Sequence, residues 1–136
     1  MRVLLAGENP EMLSALRVLL LYLYPRWNVQ MNSRLSSLAR AVRAQPCDLL
    51  IFDWHMVVRR KNRLQGEMLF LALRRQQPGL RIIVLDNAPD NREDVLRAGA
   101  DAFVCKTDPP ESLLDLIKDI QLIINNEEID DVSKGK

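Results

Sequence analysis

Asp48-Leu49-Leu50-Ile51-Phe52-Asp53 is the stretch whose reading decides the fold. Four apolar residues run unbroken and stop at a carboxylate. A short apolar run buried on both faces is the pattern of a central parallel strand. Asp53 then stands at the strand's carboxyl end, where open α/β sheets place their chemistry.

Working outward, Arg2 to Ala6 predicts another short buried strand, broken by Gly7-Glu8-Asn9-Pro10. Asn9 and Pro10 suit a helix entry, as cap and first-turn residue. Met12, Leu13, Leu16, Leu19, Leu20 and Leu23 then recur at helical spacing until Pro25. Trp27 to Asn32 alternates as a second strand, and Ser33 to Ala44 carries one apolar helical face of Leu35, Leu38, Ala39 and Val42. After Asp53 comes a polar loop with a basic run, Arg59-Arg60-Lys61-Asn62-Arg63. Gly66 is expected to open the next helix, closed by Pro78-Gly79. Arg81 to Leu85 predicts a fourth strand ending at Asp86, and Asp90 is expected to cap a short helix that Gly99 stops. Ala102 to Cys105 predicts a fifth strand ending at Lys106. Pro109-Pro110-Glu111 starts the last helix, with Leu113, Leu116, Ile117, Ile120 and Ile124 on one face, and residues 125–136 are expected to fray as a polar tail or the start of a linker.

Strands and helices alternating five times demand a parallel sheet covered on both faces. The doubly wound order 2-1-3-4-5 gathers the loops after strands one, three, four and five at one cleft. Those loops carry Glu8, Asp53, Asp86 and Lys106. Composition narrows the function classes. With 136 residues, 48% hydrophobic and 27% charged, the chain suits one globular domain, and a net charge of +1 gives no field for nucleic acid or an acidic membrane. Cys47 and Cys105 lack metal-ligand spacing and make no disulfide framework, which suits a reducing cytoplasm. No long apolar run spans a membrane.

Asp48-Leu-Leu-Ile-Phe-Asp53-Trp-His-Met and Gly99-Ala-Asp-Ala-Phe-Val-Cys-Lys106 resemble the acceptor strand and the last strand of the receiver domain of two-component response regulators. The likeness runs from residue 1 to about 124 and implies the flavodoxin-like version of the sheet just described. By resemblance, Asp53 holds the phosphoacceptor position, served by a histidine kinase or a small phosphodonor. Lys106 neutralises charge there. Mg²⁺ is held by two acidic residues after the first strand, by Asp53 and by the backbone carbonyl of His55. Dimers form through the fourth helix, fifth strand and last helix.

The chain departs from that pattern in three places. Gly7-Glu8 takes the position of the acidic pair, Asp86 the position of a Ser or Thr hydroxyl, and the loop after Asp53 is longer and basic. Mg²⁺ wants hard oxygen ligands in near-octahedral geometry, so losing a carboxylate weakens the site. Two unit charges about 4 Å apart repel by roughly 4 kcal/mol at an intermediate dielectric, whereas one hydroxyl hydrogen bond is worth only about 1 kcal/mol. The expectation is therefore a receiver that keeps its fold, phosphorylates weakly if at all, has no catalytic turnover of its own, and acts by protein–protein contact. Glu8, Asp53 and Asp86 gathering into a rearranged cation site is the alternative that would rescue the chemistry. Each residue also has a plainer reading: Asp53 as a turn cap, Glu8 as a first-turn carboxylate, Asp86 as a turn residue, the basic run as a solvated loop, His55 as an exposed side chain, and Cys105 as an inert buried thiol. Trp54 is expected to be partly exposed and available for contact. A second function class, a small α/β nucleotide-binding enzyme using the same cleft, needs a Gly-rich phosphate loop, and Gly7-Glu8-Asn9-Pro10 is not one.

Overall fold

A computed structural model describes residues 1–58 and 63–134, with side chains at 1–57 and 65–127. The run Leu49–Asp53 is strand β3, and every one of its residues is buried. It pairs in parallel with β1 (Arg2–Ala6) on one side and β4 (Arg81–Asp86) on the other. β2 (Asn28–Asn32) and β5 (Ala102–Cys105) form the edges, so the order is β2-β1-β3-β4-β5, all parallel.

Alternation along the strands sends side chains to two separate faces. Leu4, Ala6, Leu50, Phe52, Ile82 and Val84 join one core cluster with Leu38 and Val42 of α2 (Leu35–Ala44), Phe70 and Leu73 of α4 (Arg63–Gln76) and Val95 of α5 (Arg92–Arg97). Phe52 and Phe70 meet edge to face at 5.4 Å, a geometry that pairs a positive ring edge with a negative face. Val3, Leu5, Leu49, Ile51, Ile83 and Leu85 are buried on the opposite face, where α1 (Pro10–Leu23) contributes Leu13 and Leu20. Burial on both faces is what makes the strands near-continuous apolar runs.

Local signals at the helix ends work as the residues suggest. The Asn9 side chain accepts from the amides of Glu11 and Met12, with Pro10 at the first helical position. Gly99 follows α5 at φ +114°, a conformation that strains any residue with a Cβ. The chain divides into two compact units, Met1–Cys105 and Lys106–Lys136. The second is built on one helix, α6 (Pro110–Lys134).

Four expectations need correction. Trp54 is buried, at 2% exposure, because α4 leaves it a slot: a Cβ built on Gly66 comes within 2.8 Å of its ring, and Phe70 lies 6.2 Å from it. The segment after Asp53 is not simply a polar loop, since α3 (His55–Val58) buries Met56 and Val57 in the core. Gly66 does not open α4, which starts at Arg63; it lies inside the helix where the Trp54 ring needs room. Finally, α6 does not fray after Ile124 but runs to Lys134. Of the basic run, Arg59 to Asn62 lies outside the described residues, as does the side chain of Arg63.

Candidate phosphoacceptor site

The site is built where β1, β3 and β4 end. Ala6 pairs with Phe52 and Asp53 with Leu85, so the residues following Ala6 and Leu85 flank Asp53 on neighbouring strands. Asp53 is 4% exposed. One of its carboxylate oxygens accepts from the His55 backbone amide at 3.0 Å, which closes the entry of α3. The capping reading of Asp53 is therefore correct as geometry, and it leaves the second oxygen, Oδ2, facing the β1 loop.

Gly7 occupies that side. A Cβ built on it would stand 3.3 Å from the Asp53 Cβ, 3.7 Å from Oδ2 and 3.2 Å from Leu13. The first position of the acidic pair thus touches the carboxylate it would serve, and it has no side chain. Glu8 follows it, exposed, just before the Asn9 cap. His55 is exposed at the first residue of α3.

Asp86 lies one residue beyond Leu85, the register partner of Asp53, and is 7% exposed. Its Oδ2 accepts from the side-chain amide of Asn91 at 2.6 Å. Sequence reasoning missed Asn91. Its place just before Arg92-Glu93-Asp94 marks a helix entry and suggests a cap, but no side-chain cap bond forms at α5. Asp90, the expected cap, lies instead inside the one-turn 3₁₀ helix Pro89–Asn91. The Cys105 thiol donates to the Asn87 carbonyl at 3.5 Å, so the start of this connection is also tied to β5. Lys106 is covalently next to Cys105 and opens the second unit.

Among the described residues, no three His, Cys, Asp or Glu side chains gather as a metal ligand set. The rearranged three-acid cation site of Glu8, Asp53 and Asp86 is therefore not formed, and Asp86 is engaged by Asn91 instead. The family's Mg²⁺ needs several hard oxygens around the acceptor. Here Gly7 supplies none at the position touching Asp53, and one Asp53 oxygen is already an acceptor.

The sequence profile of the response regulator receiver domain matches residues 3–118. The chain belongs to this family. Solved structures agree with the profile. A signal receiver domain of a DNA-binding response regulator from Colwellia psychrerythraea superposes with a TM-score of 0.74 at 18% identity, covering 90% of this chain and 98% of that one. A Burkholderia pseudomallei response regulator, solved with a phosphorylated aspartic acid, a calcium ion and citrate, gives 0.70 at 19% identity, covering 95% and 74%. RcsB from Salmonella enterica serovar Typhimurium, bound to a promoter in the presence of a phosphomimetic, gives 0.72 at 25% identity, covering 89% and 60%. No curated protein matches the chain significantly. The protein carries a receiver domain of a two-component response regulator, with the flavodoxin-like sheet of that family. Among the described residues no helix of this receiver is long and apolar enough to cross a membrane.

Proposed function

We propose that this receiver signals mainly through protein–protein contact and that phosphorylation of Asp53 is weak. The carrying observation is Gly7 seated against the Asp53 carboxylate at the acidic-pair position. Phosphoryl transfer to a carboxylate is positioning and charge neutralisation, and Gly7, at the acidic-pair position, supplies neither. Asp86 adds a negative charge at the end of the neighbouring strand. Even at about 8 Å, two unit charges repel by roughly 2 kcal/mol at an intermediate dielectric, more than the roughly 1 kcal/mol a hydroxyl bond would return.

In this reading Asp53 keeps the acceptor position and Lys106 supplies the neutralising cation. Glu8, Asp53 and the His55 carbonyl hold Mg²⁺ weakly. The domain has no turnover of its own and acts in the cytoplasm. Its partners are a histidine kinase or another signalling protein, and neither nucleic acid nor membrane. A homodimer would use the face of the helix after β4, β5 and the last helix. Leu96 on α5, and separately Leu122 and Ile123 on α6, are exposed apolar residues that fit such use. The receiver ends near residue 124, and residues 125–136 form a polar tail or the start of a linker.

Intact-mass measurement after incubation with acetyl phosphate and Mg²⁺ is the test. A small or undetectable fraction carrying an adduct of about 80 Da is expected. A stoichiometric adduct that disappears in Asp53→Asn would overturn the weak-phosphorylation reading.

A further inference from the structure

Asp86 is the buried carboxylate to which phosphotransfer assigns no task. By alternation it shares the parity of Ile82 and Val84, which belong to the core face of α2, α4 and α5. Asp53 shares the parity of Leu49 and Ile51 on the other face. The partner of Asp86 comes from its own side: the Asn91 amide at 2.6 Å. Asn91 ends the 3₁₀ turn and holds the N-cap position of α5, where an asparagine ordinarily accepts from the helix amides. It makes no such bond here. An ionised carboxylate is acceptor-only, so it can bind a donor but cannot donate to a phosphoryl oxygen as a hydroxyl does. A bond to a charged acceptor is also stronger than a neutral one.

We propose that Asn91 is a positioning residue for Asp86, and that the pair is a fixed latch on the β4–α5 connection. The latch holds that connection in one arrangement whatever the state of Asp53, so the surface around α5 is presented to partners constitutively. The inference rests on the receiver reading above, with Asp53 at the acceptor position, and gives the element through which phosphate control is lost.

Hydrogen–deuterium exchange of residues 87–97 in the full chain tests it, because that readout does not require phosphorylation. Asn91→Ala and Asp86→Ala should each speed exchange there by about tenfold, the scale of a lost bond to a charged group. The double variant should exchange no faster than either single one. Asn91→Asp separates positioning from capping, since aspartate caps as well as asparagine but offers no donor. It should exchange as fast as Asn91→Ala. The wild-type protein treated with acetyl phosphate should exchange as the untreated protein does. Wild-type exchange in Asn91→Ala or Asn91→Asp, additive effects in the double variant, or faster exchange in the phosphorylated wild-type protein would each overturn the latch. A large mass adduct with unchanged exchange would instead count against weak phosphorylation while supporting the latch.

Discussion

Gly66 shows how one missing side chain can shape the neighbourhood of a site. It lies inside α4, where glycine lowers helix stability by about 1 kcal/mol relative to alanine. The Trp54 ring needs the space, with two ring carbons at 2.8 and 2.9 Å from a built Cβ. Gly66→Ala should therefore lower stability in urea titration by about 1–3 kcal/mol through overpacking next to the acceptor strand, despite the better helix former. Cys47 supplies a second residue-level expectation. Burial, aided by the nearby Asp48 charge, pushes its thiol up to about 12. The folded chain thus favours the neutral thiol, while the unfolded chain ionises it near pH 9. That contribution to stability is complete below about pH 9 and lost as pH rises toward 12. Stability measured by denaturant across this range should fall less steeply in Cys47→Ala, and Cys47 should resist alkylation in the native protein at neutral pH.

At the scale of elements, the helix entries are the informative places. Asn9 satisfies two otherwise unpaired amides of α1, and Asn9→Ala should cost about 1 kcal/mol in denaturant titration. The same residue type before α5 does something different: its side-chain NH₂ donates to Asp86, and its side chain makes no cap bond. Helix α3 is the element that the pattern hid. Its four residues are too few to show a period, and its burial of Met56 and Val57 depends on α4 folding back over it. On the other side of the sheet, Tyr24 and Trp27 stack at 3.8 Å in the turn that ends α1. That contact brings the chain directly into β2 after Pro25 has stopped the helix.

For the molecule as a whole, β1, β3 and β4 end side by side, and the proposed phosphate chemistry rests on those three ends together. Asp86→Thr removes a charge and restores a hydroxyl, and it should raise the acetyl-phosphate adduct fraction by about tenfold in intact-mass assays. Gly7→Asp should not recover the family site by itself, since its Cβ would crowd Asp53 and Leu13, and thermal melts should show a lower midpoint. How far these features were legible follows from the range of the interactions. The sheet, its order and the strand ends at Asp53 and Asp86 were readable, because burial on both faces writes unbroken apolar runs into β1, β3 and β4. The Asn9 cap and the Gly99 stop were readable because both act within a few residues. Trp54 was misread because its cover comes from Gly66 and Phe70 on a helix that follows it, and nothing in the residues beside it announces that. Asn91 was missed because its side chain can either accept from the amides of the helix entry or donate to Asp86, and spacing alone cannot choose between them. By itself, then, the amino-acid order determined which residues stand at the strand ends and which charges they bring. Only the tertiary structure decided where those groups turn. A carboxylate's direction depends on the donors that packing places around it, and those come from distant parts of the chain.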